Sequence, residues 1–231
     1  DLAAVGSDIV LLQGIDGQRG SQPAGAEDHA LPDAQAVGQR HDPILGHADV
    51  LGVSAPAIAP HVEAGDDDRI ILDAGTTVFQ LARGIPQPIL NAGNLTIISA
   101  SIQVVLELGR WKGVHFILVG GLYLPDYDIA VGPQAIGSLS ALTADKLFLG
   151  SDGLSLTHGV TTANVLQAEV DRAMVAAATE VIVLEDSSKL GSAGLTPIRP
   201  VDRIHRLITD EGAPPEFVEE LRRRGVEVVI C

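Results

Sequence analysis

From about residue 69 to the end, short apolar runs alternate with stretches in which apolar residues recur at helical spacing. The runs at 70–72, 95–99, 114–119, 146–149, 181–184, 206–209 and 227–230 have the length and Val/Ile/Leu content of strands. Between most of them lie segments of helical period, at 78–83, 102–108, 132–142, 164–178 and 215–224. Strands that read as continuous apolar runs are buried on both faces. The alternation therefore predicts an α/β fold, a mostly parallel sheet with helices on both faces joined by right-handed crossovers. Ligands of such sheets sit beyond the carboxyl ends of the strands, so those ends are where chemistry is sought.

Residues 1–68 break this pattern. They are rich in Ala, Gly, Pro, Asp, Gln and His, contain no Lys, and have Arg19 and Arg40 as their only cations. The apolar patches at 9–12 and 44–51 continue with neither period. His29, His41, His47 and His61 follow no compact ligand spacing, and no metal is expected from them. This part reads as an acidic leader without a fixed fold, or as a stretch translated out of frame with the true frame resuming near Gly65.

Composition narrows the function. A formal net charge of -15 argues against free nucleic acid or an anionic membrane as a partner of this chain by itself. Aromatics make up 3% and hydrophobic residues 46%, so the core is expected to be aliphatic. The single cysteine, Cys231, leaves no intrachain disulfide. No run reaches transmembrane length, and the chain reads as soluble and cytoplasmic.

The first strand runs into Asp73-Ala74-Gly75-Thr76-Thr77, a tight turn that opens a helix. Gly75 allows close backbone approach, the first free helical N–H groups point back at the turn, and Thr76 and Thr77 add hydroxyls. Such a turn holds an anion, phosphate above all. The competing reading is that Thr76 or Thr77 is only a helix N-cap, worth ~1 kcal/mol. Other strand ends carry Ser99-Ala100-Ser101, Gly120-Gly121, Gly150-Ser151-Asp152-Gly153 and Glu185-Asp186-Ser187-Ser188-Lys189. Taken singly these are ordinary turns and caps. Their recurrence along one edge of the sheet strengthens the combination.

In order along the chain stand Asp73-Ala74-Gly75-Thr76-Thr77, Gly120-Gly121, Gly132, Asp145 to Gly150, Gly153, Gly159-Val160-Thr161-Thr162, Glu169 to Met174, Asp186-Ser187-Ser188-Lys189 and Ile208-Thr209-Asp210. That series closely resembles the C-terminal sensor domain of the DeoR family of bacterial transcription regulators, over residues 69–231. The resemblance implies the fold shared by ribose-5-phosphate isomerase, glucosamine-6-phosphate deaminase and the CoA transferases. It also implies a phosphorylated sugar as effector, a homo-oligomer, and control of carbohydrate genes, most often by repression. Three departures stand out. No winged helix-turn-helix is recognisable before residue 69, so DNA contact is expected only through a domain not seen in this chain. Ala100 replaces a polar residue common in the family, and Leu124 stands where a basic residue often follows the Gly-Gly turn.

On this resemblance Gly75, Thr76 and Thr77 are expected to hold the phosphate, with Asp73 orienting the turn or a ligand hydroxyl. Lys189 supplies the local positive charge. Asp152, Thr161 and Gly121 face the sugar, and Ser99 and Ser101 complete the effector site. No catalytic residue, cofactor or metal is expected. The alternative is a sugar-phosphate isomerase or deaminase of the same fold, for which Asp152, Glu169 or Asp186 would be the candidate base.

Overall fold

The computed structural model describes residues 68–231. The leader, and with it His29, His41, His47 and His61, lies outside the described residues. Seven strands form one sheet: β1 (Arg69–Leu72), β2 (Leu95–Ser99), β3 (Val114–Leu118), β6 (Ala144–Leu149), β9 (Ala178–Leu184), β11 (Arg206–Thr209) and β12 (Glu227–Ile230). Their order is β12-β11-β9-β6-β1-β2-β3, and every neighbouring pair is parallel. These are the seven runs expected from the apolar pattern. The helices are α1 (Thr76–Gly84), α2 (Gln87–Asn91), α3 (Ile102–Leu108), α4 (Pro133–Ser140), α5 (Val165–Ala177) and α6 (Pro215–Arg223).

Alternation along the strands explains why the runs are apolar throughout. Ile70, Leu72, Ile97, Phe148, Ile182 and Ile208 point to one face, where Val78, Leu81, Val104 and Leu108 of α1 and α3 meet them. Ile71, Ile98, Leu147, Leu149, Val181, Val183 and Leu207 point to the other, under Leu139 of α4, Val170 and Met174 of α5, and Leu221 of α6. Two largely aliphatic cores therefore cover the inner strands on both faces, while the edge strand β3 stays partly exposed.

Two small antiparallel sheets have no counterpart in the expected elements. β4 (Leu122–Leu124) pairs with β5 (Ile129–Val131), and β7 (Gly153–Ser155), β8 (Gly159–Thr162) and β10 (Thr196–Arg199) form a three-stranded sheet in the order β10-β8-β7. Strands of three or four residues are too short for a period to show. Single-turn 3₁₀ helices at Ser187–Lys189 and Val201–Arg203 complete the domain.

The connection order positions the site. From β1 the chain steps to β2 and β3 on one side, then returns to lay β6 against the other side of β1 and continues to β9, β11 and β12. Crossovers thus diverge between β1 and β6, and the diverging loops leave a crevice at the carboxyl ends of those two strands.

Candidate functional site

A cavity of about 210 Å³ occupies that crevice. Its walls are residues 74–78 at the start of α1, Gln103 of α3, Asp126, Tyr127 and Asp128 between β4 and β5, Gly150, Ser151 and Asp152 after β6, Gln167 of α5, and Lys189. Among these lining residues Lys189 alone is cationic.

Gly75, not a threonine, is the N-cap of α1, with φ 102 and ψ 160 and no side-chain cap hydrogen bond. Only glycine occupies that conformation readily, although a Cβ there would meet nothing within 4 Å. Thr76 and Thr77 consequently fall inside the first turn, where helical N–H groups lack carbonyl partners. The N-terminal end of the helix, with its partial positive charge, faces the cavity. Asp73 lies one step deeper: its buried Oδ2 accepts from the Gly150 N–H at 3.2 Å and its own N–H donates to the Phe148 carbonyl at 3.1 Å. It thereby stitches the β1 turn to the β6 turn from behind the lining.

Lys189 lines the same cavity. Its Nζ donates to the Ser151 carbonyl at 2.9 Å and stands 3.2 Å from Glu185 Oε1 and 3.9 Å from Asp186 Oδ2. Asp186 in turn caps the short helix carrying the lysine, accepting from the Ser188 N–H at 3.0 Å. Glu185 is 1% exposed, and burial pushes its carboxyl up to about 7 against the opposing pull of Lys189 and of the Ser151 hydroxyl, which donates to Oε2.

The three lining aspartates are not equivalent. Asp128, at φ 50, receives the Ser101 hydroxyl, the Gln103 N–H at 3.1 Å and the Tyr123 hydroxyl at 2.8 Å. Both of its oxygens are thus held by the protein, and the Tyr123 phenol is pushed up to about 12 by its bond to this carboxylate. Asp152 uses Oδ2 to accept from the Thr162 hydroxyl at 2.8 Å and the Ala163 N–H at 2.7 Å. Asp126 shares a loop with Tyr127 at the rim. Gln167 contributes a buried Oε1 that no group among the described residues bonds.

Of the residues singled out in the sequence, Gly75, Thr76, Thr77, Asp152 and Lys189 line one cavity. Asp73 supports it from below. Four others lie away from the lining. The Ser99 hydroxyl accepts from the Ser101 N–H at 3.1 Å, and Ser101 N-caps α3 through the Val104 N–H. Thr161 donates to the Gly153 carbonyl at 2.8 Å and accepts from the Gly194 N–H at 2.7 Å, tying the three-stranded sheet together. Gly121 borders a separate groove with Gln134 and Ser138; a Cβ there would come within 2.4 Å of the Val131 carbonyl. The lining residues Gln103, Asp126, Tyr127, Asp128, Ser151 and Gln167 were not among the expected effector contacts. Pro125-Asp126-Tyr127-Asp128 reads locally as a turn, and only the docking of β5, through the Ala130 N–H to the Ala100 carbonyl at 2.9 Å, brings it to the cavity.

The model of the DeoR C terminal sensor domain matches residues 55–211. The chain belongs to the DeoR family. It is 36% identical over 162 residues to a putative aga operon transcriptional repressor of Escherichia coli O157:H7, covering 70% of this chain and 59% of that relative. It is 36% identical over 165 residues to the HTH-type transcriptional repressor GlcR of Bacillus subtilis, covering 71% and 62%. The chain thus spans about three fifths of the length of these curated relatives. Among solved structures, this DeoR sensor domain is similar to ribose 5-phosphate isomerase A from Methanocaldococcus jannaschii. That likeness has a TM-score of 0.42 and 18% identity, over 62% of this chain and 54% of the other. The family and these curated relatives are transcription regulators by name rather than enzymes. Among the described residues no group of three or more His, Cys, Asp and Glu is placed to hold a metal ion, and no helix is long and apolar enough to cross a membrane.

Proposed function

We propose that this DeoR sensor domain binds the phosphate of a small phosphorylated sugar and so sets the state of a repressor of carbohydrate genes. The observation that carries this reading is that the start of α1, which has no side-chain cap, and the Lys189 ammonium line the same cavity. A helix N-terminus and a single ammonium form an anion site even in an acidic protein. At about 210 Å³ the cavity falls below the ~300–1,000 Å³ of drug-sized ligand pockets, which favours a metabolite of monosaccharide size. Asp126, Asp152 and Gln167 supply acceptors and donors of the kind that read sugar hydroxyls.

Repression itself belongs to the whole regulator. In this reading the effector binds two arrangements of a homo-oligomer with different affinity, and that difference changes how DNA-binding domains not recognisable in this chain are presented in the cytoplasm. Thermal unfolding with ribose 5-phosphate, fructose 6-phosphate, inorganic phosphate and sulfate tests the site. A ligand at 100 times its dissociation constant stabilises by about 2.7 kcal/mol. Stabilisation by a sugar phosphate beyond that by phosphate, lost in Lys189→Met, is the expected result. Turnover of either sugar, or no shift with any of them, would overturn it.

A further inference from the structure

The sensing site has one cation, and the protein already uses it. Lys189 Nζ donates to the Ser151 carbonyl at 2.9 Å and pairs with Glu185 Oε1 at 3.2 Å, while the Ser151 hydroxyl donates to Glu185 Oε2. Lys189 and Ser151 are in the cavity wall; Glu185 is behind it and 1% exposed. Its position is fixed, because it continues β9 and its N–H donates to the Ile208 carbonyl at 3.1 Å. An ionised Glu185 therefore neutralises the one ammonium among the described residues that line the cavity, and would itself sit buried close to an arriving anion's charge.

We propose that Glu185 is a positioning residue that couples anion binding to the uptake of one proton: ionised, it holds the Lys189 ammonium back, and protonated, it releases that ammonium to the guest. The inference rests on the effector reading above. The groups acting on Glu185 oppose one another, and the net effect is upward. Burial raises its carboxyl, Lys189 and Ser151 lower it, and Asp186 on the same segment raises it again. Just past β11, the carboxylate of Asp210 is turned to the Ser187 N–H at 2.7 Å and the Gly212 N–H at 2.8 Å. Asp152, after β6, is engaged by Thr162 and Ala163. With its carboxyl pushed up to about 7 by burial, Glu185 exchanges its proton near neutral pH.

Calorimetric titration of inorganic sulfate and of ribose 5-phosphate, in pairs of buffers with different ionisation heats, counts the protons taken up. Sulfate is informative because it keeps both charges across this range. For the wild type, affinity for sulfate should fall by up to about tenfold for each pH unit above neutrality, with close to one proton bound per anion. Glu185→Gln keeps a polar amide beside Ser151 without the charge. At about pH 8 it should bind sulfate about tenfold more tightly than the wild type and take up close to one proton fewer. Glu185→Asp should retain the proton uptake. Binding by the wild type with no proton uptake, or equal uptake by Glu185→Gln, would overturn the role of Glu185 and leave the effector site standing. Absence of any binding at every pH would overturn both.

Discussion

Asp171 of α5 sits against Asp73 at the end of β1, and both carboxyls are fully buried. Neither oxygen of Asp171, nor Oδ1 of Asp73, accepts a hydrogen bond from another group among the described residues. Two ionised carboxylates in that position would repel, and the charge of Arg172 offsets burial and repulsion only in part, so the pair keeps a proton. Burial raises both groups, and the charge of Asp73 adds to the effect at Asp171.

The sign of the resulting pH dependence is definite. The folded pair binds its proton more tightly than the unfolded chain does. Its contribution to stability is therefore complete below the ordinary value of 3.8 and is lost as pH rises through values near 7. Glu185 acts in the same direction and the same window. The midpoint of thermal unfolding should fall between about pH 5 and about pH 8, and Asp171→Asn should flatten that fall and stabilise the domain at pH 8 by ~1–3 kcal/mol. A midpoint that climbs across this interval would contradict the buried acid pair.

Gly75→Ala tests whether the turn is held by conformation. Since a Cβ would meet nothing within 4 Å, any loss comes from forcing an L-residue to φ 102, not from a clash. The cost should be ~1–3 kcal/mol in urea unfolding, and anion affinity should drop with it as the first turn of α1 shifts. An unchanged variant would show that the turn has freedom to relax.

Lys189→Met removes the one cation of the cavity while keeping much of the side-chain volume. Loss of a charge-assisted contact to phosphate predicts about 10- to 100-fold weaker binding of a sugar phosphate by calorimetry. Lys189→Arg should retain part of the affinity. Equal affinity in Lys189→Met would place the anion elsewhere.

Thr161→Val separates scaffold from contact. The hydroxyl is buried and serves Gly153 and Gly194, so its loss should destabilise the domain by ~1–3 kcal/mol. At temperatures where the variant remains folded, effector affinity should change less than twofold. A selective loss of affinity at full stability would instead return Thr161 to the ligand.

The central sheet was legible because its physics is local. Covered on both faces, each inner parallel strand has to be apolar at both parities, and Ile70-Ile71-Leu72 or Val181 to Leu184 shows this without reference to the rest of the chain. The Gly75 turn was legible for the same reason, since a glycine between a strand and a helix start reports a backbone need. Tyr127 and Gln167 were not, because what brings them to the cavity is the return of the β4–β5 hairpin and the angle of α5, which depend on contacts far along the chain. Ser99, Ser101 and Thr161 show the converse. A hydroxyl at a strand end satisfies main-chain groups as readily as a ligand, and sequence alone does not distinguish the two uses.

The seam between β1 and β6 joins, by three paired positions, the portion of the sheet that runs outward through β2 and β3 to the portion that runs outward through β9, β11 and β12. A guest lodged at the end of that seam touches both portions at once, gripping the front of α1 with one side and the Lys189 arm with the other. On the proposed reading, occupancy would work as a rivet through two plates: it would limit how far they can shear or splay, and the outermost strands, remote from the pocket, would feel its arrival as a change in stiffness.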